Sequence, residues 1–416
     1  MEVQDWDFSP PPPSPLGDHD VPLEGVHLQG KRVALLITGG IAAIKAPFIA
    51  RALRRQGADV VAFTSREALR YVAEEALEWS TTHPVVTRLT PAAEHLSDAA
   101  PFNAYLVAPA TYNTINKMRY GTADGVVTAT LGSALGRMEQ GRTQVLVAPT
   151  MHGSLHTAIL TESLQFLSAL GVRVIPPRED YGKHNIPREE RLVAEVCRAV
   201  STSPLKGTPV LVTGGPTPVP VDGVRRLTNK FTGRLGIAIA HELTLRGADA
   251  LLIHGGGVMR PPDYLPHHLA ATVDDYLELV EGALERTTYE AAIFSAAVAD
   301  YRPEAVRSGK TPSGGALETL KLVPTVKVIG RVREQHPALH MVTFKYQEGV
   351  SHEELMEIAR RRVAPGSVAV AANRGDVGGG AGEQVAYLVS QKRPPERLVG
   401  KEGIAVGIAN YLEAVL

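Results

Sequence analysis

Two doubly wound α/β domains in tandem are the expectation for this chain of 416 residues, and three observations carry it. An apolar strand runs into a Gly-Gly turn twice, in VALLITGGIAAIKA (Val33 to Ala46) and again in VLVTGGPTPVPVDG (from Val210). Short apolar runs alternate with helical stretches after each turn, the pattern of a parallel sheet covered on both faces. Between the two series the pattern weakens through RAVSTSPLKGTP (Arg198 to Pro209), rich in Ser, Thr, Pro and Gly.

The elements follow in order. RVALLIT is a β-rich run, IKAPFIARALRRQG an amphipathic helix ending at Gly57, and DVVAFTS the next strand. AYLVAPA, VLVAPT and VRVIPP are buried apolar strands, each stopped by Pro or Gly. After the break come VLVTG, a helix over LGIAIAHELTLRG, ALLIHG, YLELVEGALER, AAIFSAAV, HMVTF, VAVAAN and VAYLVS. The expected organisation is a Pro-rich, disordered or loosely docked arm over 1–29, a first domain over 30–197, a linker over 198–208 and a second domain over 209–416.

Composition narrows the function classes. Lys plus Arg (43) nearly balances Asp plus Glu (44), which argues against a nucleic-acid or membrane partner. One cysteine, Cys197, excludes a disulfide framework and a multi-thiolate metal site, and it reads as a small buried hydrophobe in LVAEVCRAV. The N-terminus has no basic start and apolar core, and no run reaches the length of a membrane helix. A cytoplasmic enzyme acting on small molecules is the expectation.

TGGIAAIKA offers backbone N–H groups at a glycine turn and helix start, suited to a phosphate, although alone it does not separate a cradle from a tight turn. It lacks the G-x-G-x-x-G spacing of a dinucleotide site. APATYNTINKMRYGTADG, dense in Thr, Asn and Gly after a strand, suits a flavin ring or its ribityl chain as well as it suits a helix cap. With the His of EHLSDA and the run PTMHGSL, these segments resemble the flavin-dependent cysteine decarboxylases that act on phosphopantothenoylcysteine, over residues 31–195. The resemblance implies FMN near Gly39, Gly40, Ile41, Thr64, Thr111, Asn113 and His152, with His95 as the active-site histidine. It also implies oxidation of the cysteinyl thiol to a thioaldehyde, loss of carbon dioxide and return of the electrons. Two residues depart from the family pattern. His152 stands where the family has a carboxylate-binding Asn, and the proton-donating Cys is absent, an ungapped count from Arg191 placing His184 at its point. Histidine can bind a carboxylate and donate a proton near neutral pH. The pair either sustains decarboxylation or marks a domain that keeps its fold as a flavin-binding or assembly module.

In the second half Gly214 and Gly215 form another anion turn, followed by VDGVRRLTNKFTGRLG, in which Arg225 and Asn229 are spaced i, i+4. SAAVADYRP ends a strand at small residues that let a flat base approach, and Lys310 lies in a Gly-rich loop suited to triphosphate. The set resembles phosphopantothenate–cysteine ligase over residues 205–416. That resemblance implies activation of the 4′-phosphopantothenate carboxylate by CTP as an acyl-cytidylate, then attack by the amine of cysteine. Asn229 and Arg225 would hold the carboxylate, Ala297, Asp300, Phe344 and Lys345 would line the nucleotide pocket, and Lys310 would meet the triphosphate, with Mg²⁺ on the phosphates. Lys345 and Arg374 are departures that could supply phosphate charge. A homo-oligomer is implied as well.

Overall fold

The computed structural model describes residues 8–96, 100–257, 259–311, 320–363, 368–375, 383–391 and 393–416. They divide into two compact units, Met1–Val200 and Ser201–Leu416.

In the first unit, β1 (Arg32–Ile37), β2 (Asp59–Thr64), β3 (Ala104–Ala110) and β4 (Gln144–Pro149) are the apolar runs of the sequence. They form a parallel sheet in the order β2-β1-β3-β4, extended at the β4 edge by two residues of VRVIPP. Pro176 and Pro177 lack the N–H groups to continue that edge pairing. The order reverses between β1 and β3, and a doubly wound sheet binds its ligand beyond such a switch point. α1 starts at Ala46 and ends at Arg54, later than expected, because Pro47 is tolerated only in a first turn; the residues before it, Ile41–Lys45, are a 3₁₀ turn. α2 (Glu74–Thr81), α3 (Tyr112–Arg119), α4 (Val126–Glu139), α5 (Ala158–Ala169) and α6 (Glu189–Val200) complete the layers. Cys197 is fully buried in α6, which runs to Val200 and so takes in 198–200 of the expected linker. The expected disordered or loosely docked arm is docked at its end: Leu28 is fully buried and its amide donates to Gln56 O at 2.8 Å.

The unit also carries a small antiparallel sheet that no apolar run announces. β5 (Met151–His152), the two-residue edge strand β6 (Arg173–Val174) of the main sheet, β7 (Arg178–Asp180) and β8 (Lys183–Asn185) follow in chain order, and β5, β8 and β7 pair in that spatial order. The register sets Met151 opposite His184 and His152 opposite Lys183.

The second unit has an eight-stranded sheet. Its strands are β9 (Pro209–Gly214), β12 (Asp249–Gly255), β13 (His267–Ala270), β14 (Ala291–Phe294), β17 (His340–Gln347), β18 (Ala369–Arg374), β19 (Val385–Ser390) and β20 (Glu396–Val399). Two short pairs stand outside it: β10 (Val219–Pro220) with β11 (Arg226–Leu227), and β15 (Tyr301–Pro303) with β16 (Leu322–Pro324). The sheet is not parallel throughout: β13-β12-β9-β14-β17-β18 are parallel, while β19 and β20 close the edge antiparallel. Five residues between β19 and β20 are too few for a crossover and long enough for a hairpin. α7 (Arg234–Leu245) and α11 (Gly400–Glu413) cover one face, and their apolar sides share one core with β9, β12 and β14. α8 (Val273–Arg286) and α9 (Val328–Gln335) cover the other face, and α10 (His352–Val363) packs on β18. No helix among the described residues is long and apolar enough to cross a membrane.

Candidate functional sites

The first unit holds a cavity of about 1090 Å³ at the carboxyl ends of β1 and β3. Thr38 hydroxyl donates to Pro109 O at 2.7 Å and accepts from the Thr111 amide at 3.2 Å, tying the two strand ends together. Gly39, Gly40, Ile41, Thr64, Thr111, Asn113, His152 and His184 all line this cavity. A Cβ on Gly40 would meet only Thr111 Cγ2, at 3.5 Å, so any side chain there would fill cavity space. His95 does not line it. The residues on either side of it, Glu94 and Leu96, line a separate cavity of about 400 Å³ with Phe63 and Phe102, beside β2.

The histidines come from the small antiparallel sheet. His152 is exposed; its Nδ1 accepts from the Ser154 amide at 3.2 Å and lies 2.8 Å from Ser154 Oγ. His184 is held differently, with Nε2 2.6 Å from His156 Nδ1 and Nδ1 buried 3.6 Å from Glu179 Oε1. His156 Nε2 reaches Thr161 Oγ1 at 3.2 Å, and that hydroxyl donates to Thr157 O. The pattern orders the protons: His156 carries one on Nε2, so its Nδ1 accepts from His184 Nε2–H. Sequence reading missed His156, although its i, i+4 spacing from His152 was visible.

The second unit holds a cavity of about 620 Å³ lined by Gly215, Asn229, Ala297, Asp300, Phe344 and Lys345. Its floor is backbone: the Ala297 amide donates to Gly215 O at 2.9 Å and the Ala299 amide to Thr217 Oγ1 at 2.9 Å. Gly214 lies beneath, where β9 meets α7 so closely that a Cβ on Gly236 would stand 2.6 Å from Gly214 Cα. Asn229 Nδ2 donates to Ala297 O at 2.8 Å and its Oδ1 accepts from the Phe231 amide at 3.2 Å. One amide hydrogen and one lone pair remain for a ligand. Asp300 pairs with Lys327.

Arg225 and Lys310 do not line this cavity. Arg225 donates to Asp222 Oδ2 at 2.7 Å and to Thr311 O at 3.0 Å. Asp222 also accepts the amides of Val224 and Arg225, and these bonds, the Arg225 amide first, hold its carboxyl far below the usual carboxylate range. Thr311 N donates to the same carboxylate, and Gly223 N to Gly309 O at 2.8 Å. Arg225 therefore anchors the strip that carries exposed Lys310; the rest of that loop, 312–319, lies outside the described residues. Arg374 donates to Val350 O at 2.7 Å and does not reach the cavity. Arg362 and Lys401 do, alongside Lys345. Burial first, then the Arg362 charge, lowers the Lys345 ammonium.

The family described as DNA/pantothenate metabolism flavoprotein C-terminal domain matches residues 205–415, and the family described as Flavoprotein matches residues 23–201. The coenzyme A biosynthesis bifunctional protein CoaBC of Thermococcus kodakarensis is 36% identical over 353 residues, 83% of this chain and 86% of that protein. The chain belongs to the CoaBC family of bifunctional coenzyme A biosynthesis proteins. Its CoaBC relative in Bacillus subtilis is 31% identical over 356 residues, covering 81% and 84% of the two chains. The CoaBC protein of Methanocaldococcus jannaschii is 29% identical over 338 residues, 81% of each. A solved DNA/pantothenate metabolism flavoprotein from Streptococcus pneumoniae, 26% identical, covers 50% of this chain and all of that one with a TM-score of 0.45.

Proposed function

We propose that the chain carries out two consecutive steps of coenzyme A synthesis: CTP-dependent coupling of 4′-phosphopantothenate to cysteine in the second unit, and FMN-dependent decarboxylation of the product in the first. The observation that carries the ligase reading is the cavity in which Asn229 and the Gly215–Ala297 floor are joined by Lys345, Arg362 and Lys401. A carboxylate on Asn229 would lie in the same cavity as those cations, which suit a triphosphate. A carboxylate oxygen attacks the α-phosphorus of CTP, the bond to the bridging oxygen breaks and pyrophosphate leaves. The amine of cysteine then attacks the acyl carbon, CMP leaves and the nitrogen loses a proton. Lys345 and its neighbours offset the charge of the leaving pyrophosphate. Mg²⁺ would be held by phosphate oxygens and water.

The first cavity fits FMN in its residues: a glycine turn that leaves room, hydroxyls of Thr38, Thr64 and Thr111, and Asn113. Bound there, the flavin supplies a reversible two-electron sink. The chain supplies the rest. Decarboxylation breaks the bond to the carboxyl carbon, leaves the electron pair on carbon and requires one proton in place of carbon dioxide. His152 and His184 lining one cavity favours an active decarboxylase over a lapsed one: His152 meets the substrate carboxylate and the His156–His184 pair holds the replacing proton. The protein acts as a homo-oligomer in the cytoplasm in this reading.

The test is incubation of the purified protein with 4′-phosphopantothenate, cysteine, CTP and Mg²⁺, with products read by mass. Phosphopantetheine is expected. Phosphopantothenoylcysteine alone would overturn the decarboxylase half, and neither product from folded protein would overturn both.

A further inference from the structure

We infer that the backbone amide of Ser154 locks His152 in the Nε2–H tautomer, so that a neutral imidazole presents one N–H donor to the substrate carboxylate. This rests on the decarboxylase reading for its ligand, while the tautomer itself rests on hydrogen bonds in the chain. A backbone N–H is an obligate donor. Because the Ser154 amide points at His152 Nδ1 at 3.2 Å, that nitrogen presents its lone pair, and the ring proton resides on Nε2. The Ser154 hydroxyl, 2.8 Å from the same nitrogen, can serve as a second donor to it. His152 Nε2 has no hydrogen-bond partner among the described residues, and the ring lines the 1090 Å³ cavity.

The arrangement differs in kind from that of His184. His184 Nε2 meets His156 and its Nδ1 is buried 3.6 Å from Glu179 Oε1, whereas His152 Nε2 is left for a ligand. A locked Nε2–H donates and does not accept, so it pairs with an acceptor oxygen such as a carboxylate's and cannot pair with a carboxamide N–H or a hydroxyl proton. An amide side chain offers the same donor, which gives a physical reason why histidine can occupy this position without placing a cation there. Ser154 is in these terms a positioning residue: it touches no substrate and acts through the imidazole.

The experiment uses the full chain labelled with ¹⁵N-histidine, the His152 signals being assigned by their loss in H152N. The expected spectrum has an unprotonated Nδ1 and a protonated Nε2, in the wild type and in S154A, which keeps the amide. S154P removes that N–H, and a mixture of tautomers is expected. A protonated Nδ1 in the wild type overturns the lock, and so does a wild-type pattern in a folded S154P. The donor role is read separately from equilibrium binding of phosphopantothenoylcysteine and of 4′-phosphopantetheine, which lacks the carboxylate. H152L should weaken the first roughly 10- to 100-fold, as loss of a hydrogen bond to a charged group does, and leave the second within about threefold. H152N should restore the first. Equal losses for both compounds, or none, overturn the donor role. Binding of neither compound to the wild type overturns the decarboxylase reading and the donor role with it, and leaves the tautomer to the spectrum.

Discussion

Substitution of Gly236 by alanine should damage ligation far more than folding. A Cβ at 236 would lie 2.6 Å from Gly214 Cα, and ordinary contact begins near 3.4 Å. Both partners are backbone, so no side chain can rotate away, and α7 must move off β9 by about 0.8 Å. Such overpacking costs about 1–3 kcal/mol, and alanine returns about 1 kcal/mol of helix propensity. The net loss is about 1 kcal/mol, a fall in Tm of roughly 2–4 °C for a unit of this size. Catalysis depends on position more steeply. Gly236 lines the second unit's cavity beside the Gly215 turn, and a displacement approaching 1 Å at a reacting centre costs about 10²-fold in rate. The assay pairs a thermal melt with steady-state formation of phosphopantothenoylcysteine. Gly403 in α11 supplies the control, since a Cβ there meets nothing within 4 Å. G403A should raise stability by about 0.4–1 kcal/mol and leave turnover alone. Wild-type turnover in G236A, or an equal loss in G403A, would refute the reasoning.

Other outcomes follow from the two cavities. K345M should raise the CTP concentration needed for half-maximal rate by roughly 10- to 100-fold, the worth of one charge-assisted contact, measured by initial rates against CTP; an unchanged value removes Lys345 from the nucleotide site. H184Q should slow release of carbon dioxide by about 10²- to 10⁴-fold while cysteine coupling proceeds at its normal rate, a split visible in one mass-resolved time course. Asp222 titrates lower in the folded chain than unfolded, so its contribution to stability is complete above about pH 4 and is lost as pH falls through the depressed folded value. Melts of D222N and wild type should therefore differ by a constant amount above about pH 4 and converge at lower pH.

Much of the framework was readable because long apolar strands and Gly-Gly turns are local signals. β1, β2, β3, β9 and β12 fall on runs of six or seven residues, and the expected cofactor-binding residues all meet at one cavity. Shorter elements carry no usable period: β5, β7 and β8 have two or three residues each, and only tertiary pairing defines them. Arg362 ends a run of three arginines on α10, which reads as a solvated face, and Lys401 opens α11. They converge because α10 packs on β18, two strands beyond β14 in the sheet, while α11 packs on α7 beside β9, which no local pattern encodes. The i, i+4 spacing of Arg225 and Asn229 does not bring both to the cavity, for a related reason. Asp222, three residues before Arg225, claims its guanidinium, and the segment is a short strand pair, not a helix.

The hairpin between β7 and β8 turns on Tyr181 and Gly182, both in the left-handed region at φ 54° and 65°, a two-residue turn that fixes pairing on either side. Because side chains alternate across a strand, an added residue that slipped β8 by one place against β5 and β7 would carry His184 to the opposite face and away from His156. Such a slip would take apart the His156–His184 pair while altering neither histidine nor the main sheet.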